Sequence, residues 1–306
     1  MKNYIYLVGL VLLLTNCQEE TGLISTPESG DKIVLIGGNL GSRMMNFGHF
    51  ETELHARYPA KNLVIRNMCD GGNTPGLRPH SARPEPWAFP GAQIYQKEEY
   101  QVNTQSEGHF ELPDEWLERL EADVILAFFG YSESFEGEAG IDLFRNELDA
   151  FVEHTLTQEY QPGGGTELVL VSPTPFQNLR SEKRDLPDGK EENKNLERYA
   201  KVIQETAKKH EIPFLDLYTP ATKWFSRSTV YTIDGAQLND AGYQLLATEL
   251  ADQLYGSKSA NSSYRTKIRT AVADKNWHWH NDIKMPNGVH VYGRRYEPYG
   301  SDNYPD

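Results

Sequence analysis

Polar and acidic side chains recur just after the apolar runs of this chain, where open α/β sheets bind their ligands. The set comprises Asn39, Asp70, Ser132, Glu133 and Asp234. Two carboxylates that face one pocket in different environments can divide the acid and base roles of a hydrolysis, so Glu133 and Asp234 form a candidate pair. The alternative is structural, with Glu133 paired to Arg43 or capping a helix and Asp234 fixing a loop.

Residues 32–50 predict a strand, a glycine turn and a helix. The β-branched apolar run at 32–36 is typical of a buried strand, and Gly37, Gly38 and Gly41 permit a tight turn after it. Apolar residues then recur at spacings of three and four, which indicates an amphipathic helix. Backbone N–H groups after Gly38, including that of Leu40, are candidates for holding a ligand oxygen or an oxyanion.

Nucleophilic and metal-binding side chains are sparse. Ser42 is the hydroxyl nearest the turn, but it lies one turn into the predicted helix, where an ordinary polar residue is the alternative. Cys69 is expected near the same crevice as a small core residue rather than a reactive thiolate. The imidazoles form no compact cluster, so neither a metal nor a cofactor is expected. Six of the nine histidines are His49, His55, His80, His109, His278 and His280.

Five apolar runs predict strands at residues 32–36, 63–66, 123–129, 167–172 and 213–217. Helical stripes lie between and after them, one of them running from Phe144 to Leu156 and others beginning at Leu196 and Tyr243. Strands that alternate with helices imply right-handed crossovers and a parallel sheet covered on both faces. The sequence therefore predicts one α/β domain at 31–256, a three-layer α/β/α sandwich around a central five-stranded parallel sheet.

Two aromatic-rich segments do not follow the alternation of strands and helices. They are an insertion at 71–113 and a tail at 257–306. A long insertion rich in aromatic residues is expected to be ordered and functional. The tail is expected to pack on the domain or to help form a cleft, since so many aromatic side chains are costly to leave in water. Its Trp-His-Trp-His run at 277–280 is a candidate sugar-stacking platform, and an aromatic anchor is the alternative.

The N-terminal residues predict export. Lys2 precedes an apolar run that is too short to span a membrane, and the run ends in a sequence like a bacterial lipoprotein cleavage box with Cys17 as the lipidated residue. We therefore predict a signal peptide at 1–17, a tether at 18–30 and a lipid anchor to the outer membrane as the sole membrane contact. Acylation of Cys17 would leave only Cys69, so no internal disulfide is expected. A net charge of −14 argues against nucleic acid as a partner.

The order of four segments resembles the SGNH (GDSL-like) hydrolase superfamily over about residues 32–255. The segments are Ile-Gly-Gly-Asn-Leu at 36–40, Arg-Asn-Met-Cys-Asp-Gly-Gly at 66–72, Phe-Gly-Tyr-Ser-Glu at 129–133 and Ile-Asp-Gly-Ala-Gln-Leu-Asn at 233–239. The resemblance implies an SGNH/flavodoxin-like fold. It says less about activity, because one fold can serve many functions.

The resemblance places the nucleophilic serine of the family at Asn39 and its oxyanion-hole glycine and asparagine at Cys69 and Ser132. The catalytic histidine falls at Gln237, so only the supporting aspartate, Asp234, is retained. An amide is not a competent nucleophile, and Gln237 cannot take up a proton near neutral pH. A Ser-His-Asp mechanism with these groups in their usual places is not expected.

Three functions follow as hypotheses. The first is an exported SGNH-like hydrolase with an atypical site, acting on an ester of a carbohydrate or of a similar extracellular small molecule. The second is an inactive relative that binds glycan in the same crevice. The third is a hydrolase that uses Glu133 and Asp234 in place of the triad.

Overall fold

The computed structural model describes residues 21–79, 85–96, 111–183, 185–260 and 262–284 of the 306-residue chain. The predicted signal peptide with Cys17, much of the insertion with His80 and His109, and the last 22 residues of the tail lie outside the described residues.

Five parallel strands form the central sheet, as the sequence predicts, in the order β2-β1-β3-β4-β5. The strands are β1 Lys32–Gly37, β2 Val64–Asn67, β3 Val124–Phe128, β4 Glu167–Val171 and β5 Phe214–Leu215. The last strand is only two residues long, although the apolar run there predicts five. The chain crosses from β1 outward to β2 and then back to β3, which places a topological switch point between β1 and β3.

Helices cover both faces of the sheet. They are α1 Asn39–Phe47, α2 His49–Arg57, α3 Pro113–Arg119, α4 Ile141–Thr157, α5 Lys190–Lys209, α6 Tyr218–Phe225, α7 Asp240–Tyr255 and α8 Arg265–His278. Short helical segments lie at Ala92–Tyr95, Glu133–Gly140, Ser262–Tyr264 and Trp279–Lys284. In the part of the chain that is described, no helix is long and apolar enough to cross a bilayer.

Alternating strand residues build two separate cores, which confirms the three-layer prediction. Ile33 and Leu35 of β1 pack with α2 and α7 on one face, whereas Val34 and Ile36 pack with α4 and α5 on the other. One helical prediction is wrong in detail: Leu156 closes the predicted stripe of α4 but is 47% exposed, because it lies at the end of the helix beyond the core.

The described part of the tail packs on the domain beside the edge strand β2. Trp279 is buried, and its indole N–H donates to the carbonyl oxygen of Asn67 at 2.8 Å. Asn276 donates to the carbonyl oxygen of Met45, and Lys275 pairs with Glu51 at 2.8 Å. By contrast, Trp277 of the predicted sugar platform is half exposed and packs edge-on against its neighbour His278.

Candidate functional site

The turn after β1 positions a helix N-terminus at the switch point of the sheet. Gly37 has φ +115°, and an added Cβ would lie 2.2 Å from the carbonyl oxygen of Phe128, so the close approach of β1 and β3 requires glycine. The Gly38 N–H donates to that same oxygen at 2.8 Å and is not available to a ligand. The first helical bond runs from the Ser42 N–H to the Gly38 carbonyl, so the N–H groups of residues 39–41 have no intrahelical acceptor.

Two adjoining cavities lie over this helix end and share Asn39, Leu40, Tyr131 and Pro173; together they are called the crevice. Its α7 side is also lined by Arg43, Thr174, Ala236, Gln237 and Tyr243. Its β3 side is also lined by Gly38, Asn73, Phe128, Phe129, Ser132, Glu133 and Ser172. Six of the predicted site residues are therefore brought together, namely Gly38, Asn39, Leu40, Ser132, Glu133 and Gln237.

Asp234 does not line the crevice but holds Gln237. One carboxylate oxygen accepts the backbone N–H groups of Ala236 and Gln237 at 3.0 and 2.7 Å, and the other accepts Nε2 of Gln237 at 2.9 Å. Gly235 makes this turn tight with φ +95°, against the ring of Phe176. A carboxylate only accepts hydrogen bonds, so the Gln237 amide must present Nε2 to it, and Oε1 is the atom that remains for a ligand.

Glu133 differs from Asp234, because only one of its two carboxyl oxygens accepts a hydrogen bond from the described residues. Its Oε2 accepts the Gly130 N–H at 2.9 Å, whereas Oε1 is shielded from solvent and has no partner among the described residues. Burial, and to a smaller extent the neighbouring Glu147, raises the pKa of Glu133 to about 8, while the backbone N–H groups and Arg78 act against this rise. Glu133 is therefore mostly protonated at neutral pH and can donate a hydrogen bond as well as accept one.

The loop after β2 does not supply the expected oxyanion glycine. Cys69 is fully buried, burial raises the pKa of its thiol, and its N–H donates to the side chain of Asn67 at 3.0 Å. Its Sγ lies where a side chain on Gly41 would go, so Cys69 packs beneath α1. Asp70 points elsewhere and pairs with the buried Lys284 at 2.8 Å. The expectation that Cys69 and Asp70 contact a ligand in the crevice gains no support from these contacts.

No described hydroxyl in the crevice has an imidazole beside it. Ser42 does not line the crevice. The hydroxyl of Ser172 is engaged with the backbone of residues 173, 217 and 218. The described histidines that contact a carboxylate lie elsewhere, at His49, His55, His154, His210 and His278. Within the described ranges, no three potential ligands converge on a metal site.

Tyr131, Asn73 and Arg43 are among the crevice residues that were not sequence candidates. Tyr131 lines both sides of the crevice, and burial raises the pKa of its hydroxyl to about 12. Asn73 is buried with its Oδ1 unpartnered among the described residues, and Arg43 lies at the α7 side. The sequence carries a signal for two of them, since Tyr131 lies inside a quoted motif and Asn73 follows the glycines of another.

No protein-family model matches this sequence, and no curated protein does either. Solved structures do match. A diltiazem-metabolizing enzyme from a gut microbe superposes with a TM-score of 0.51 at 14% identity, over 76% of this chain and 48% of that one. An α/β hydrolase from the metagenome of Lake Arreo, Spain, gives a TM-score of 0.49 at 14% identity, over 74% of this chain and 96% of that one.

An acetylxylan esterase from Geobacillus stearothermophilus gives a TM-score of 0.48 at 13% identity, over 74% of this chain and 95% of that one. Likeness at these identities concerns the fold alone. Together with the sheet order, the superposition on the diltiazem-metabolizing enzyme confirms the three-layer α/β/α fold with a five-stranded parallel sheet that the sequence predicts.

Proposed function

We propose that this protein binds an ester-bearing carbohydrate in the crevice and holds it by its oxygen atoms, without Ser-His-Asp turnover. The observation that carries this proposal is the bond from Gln237 Nε2 to Asp234, because it occupies the supporting carboxylate with an amide that cannot shuttle protons. The N–H groups of residues 39–41, which have no intrahelical acceptor, support binding of a carbonyl oxygen nearby.

Export belongs to the same proposal, since it would bring the crevice to carbohydrate outside the cell. It rests on the N-terminal sequence with Cys17, which the described residues do not include. Labelling the cells with a radioactive fatty acid tests it: we expect label on the wild-type protein and none on Cys17→Ser. Label that persists in the variant would refute the predicted anchor.

Ester hydrolysis is the second candidate, favoured by Glu133. A carboxyl that is protonated near neutral pH, with one oxygen that has no partner among the described residues, has the properties of a general acid. The Glu133–Asp234 pair is less well supported, because the carboxylate of Asp234 already accepts three hydrogen bonds. A hydrolytic role would therefore rest on Glu133 with Ser132 or a bound water beside it.

One set of measurements separates these functions. We expect an acetylated xylo-oligosaccharide to bind in calorimetry, with affinity at least tenfold weaker in Gln237→Ala and unchanged in Gln244→Ala, an exposed glutamine of α7. Acetate release that Glu133→Gln abolishes would favour hydrolysis. Acetate release that resists Glu133→Gln but stops with a serine-directed phosphonate would refute both versions, as would binding that Gln237→Ala does not weaken.

A further inference from the structure

A second cavity of about 510 Å³ adjoins the crevice, and the two share Ser132 and Glu133. Small-molecule sites commonly span about 300–1,000 Å³, so this space is large enough for more than an acetyl group. Its walls come from the loop after β2, the short helix that ends at Tyr95, the segment Glu133–Gly140 and the first half of α4. The function proposed above makes no use of this space.

On one side of the second cavity, Glu147 of α4 accepts hydrogen bonds from the two loop segments that line it. Its Oε1 accepts the Thr74 hydroxyl at 2.6 Å, the Gly76 N–H at 2.9 Å and the Gln96 amide at 2.6 Å. Glu147 is only 4% exposed, and burial raises the pKa of its carboxyl. These bonds fasten two loop segments to α4, and all three go to one carboxyl oxygen.

The lining combines oxygen acceptors with an apolar wall. Glu147, Glu136 and the unpartnered Oε1 of Glu133 supply oxygen acceptors, and no basic side chain in the described lining could pair with a buried anion. The other side of the cavity is apolar. It includes Leu143, which lines the cavity and is 46% exposed. The apolar lining consists of Leu77, Pro79, Tyr95, Leu143 and Phe144.

A neutral sugar ring matches both sides of this cavity. Its hydroxyl groups can donate to the carboxyl oxygens, and its C–H face can pack on the apolar side chains. We infer that the second cavity binds the neutral saccharide part of the ligand, beside the acyl carbonyl held in the crevice, and that it discriminates against uronic acids. This inference rests on the proposed function and adds its specificity. Ser132 and Glu133 then lie at the junction between the acyl group and the sugar.

Two leucines of α4 allow a matched test. Leu143 lines the second cavity and Leu156 does not, yet they are 46% and 47% exposed, so a tryptophan at either position should leave folding intact. We expect Leu143→Trp to weaken binding of acetylated xylotriose at least tenfold in calorimetry, and Leu156→Trp to leave it unchanged. We also expect the wild type to prefer this ligand at least tenfold over the analogue that carries a glucuronic acid.

The outcomes distinguish this inference from the proposed function. If Gln237→Ala weakens binding but Leu143→Trp does not, the second cavity is not the sugar subsite and the crevice function stands. Equal binding of the neutral and uronic ligands would overturn the discrimination. If neither variant weakens binding, the crevice proposal and this inference both fall.

Discussion

Glu133 makes a quantitative prediction about pH and stability. Burial raises its pKa to about 8, from an ordinary value of 4.5. Between those values the folded protein holds a proton that the unfolded chain has lost, so stability must fall as pH rises through this window. A tenfold change in an ionisation constant corresponds to about 1.4 kcal/mol, so ionising Glu133 in the folded state costs up to roughly 4–5 kcal/mol by pH 9.

The variant Glu133→Gln removes this titration. Its amide oxygen can still accept the Gly130 N–H, while the new NH₂ group takes the place of the unpartnered Oε1. That buried donor costs about 1–3 kcal/mol at every pH. We therefore expect the variant to be less stable than the wild type at pH 5 and to match or exceed it at pH 9.

Urea unfolding at pH 5, 7 and 9 measures this crossover as the difference in the free energy of unfolding between variant and wild type. Taking that difference removes the contributions of other titrating groups, which both proteins share. Glu138→Gln serves as the control, because Glu138 is 79% exposed in a surface pair with Arg198 and should show a flat difference. A flat difference for Glu133→Gln as well would refute the conclusion that Glu133 is neutral in the folded protein.

Three further changes test how the site is positioned. Gly37→Ala should destabilise the protein by about 2–4 kcal/mol in urea unfolding, because the new Cβ at φ +115° meets the Phe128 carbonyl. Trp279→Ala should cost about 3–5 kcal/mol, since it empties a buried indole site at the sheet edge; a loss under 1 kcal/mol would show that the tail contributes little. Lys284→Met should cost about 1–3 kcal/mol by leaving the buried carbonyl oxygen of Cys69 without its donor, and no change would mean that this contact is unimportant.

The sheet was predictable from the sequence because its information is local. Runs such as Ile-Val-Leu-Ile at 33–36 are apolar on both faces, which only a doubly covered parallel strand requires. The weakest strand prediction was β5, where Pro213 and Asp216 flank a pair of residues that alone forms bridges to β4. The residues that meet in the crevice were predicted from the same logic, since the ends of parallel strands share one edge of the sheet.

Chemical roles were less predictable, because they depend on partners far away in the chain. Residue type and position suggested that Glu133 and Asp234 face one pocket as an acid and base pair. The fold makes them different, since Asp234 is saturated by its own turn whereas Glu133 is enclosed by α4 and the loop after β2 without a partner for one oxygen. Desolvation of this kind is a property of packing and leaves no local pattern.

The sequence by itself predicted the strands of the parallel sheet and the glycine turn after β1, since apolar runs and glycines are patterns of neighbouring residues. Tertiary structure alone decided that Cys69 packs beneath Gly41 of α1 and that Lys284 reaches Asp70. It also decided that a second cavity opens beside Glu133. These features arise where distant segments bury each other's polar groups, and the free energy of that burial depends on the assembled neighbours rather than on the local sequence.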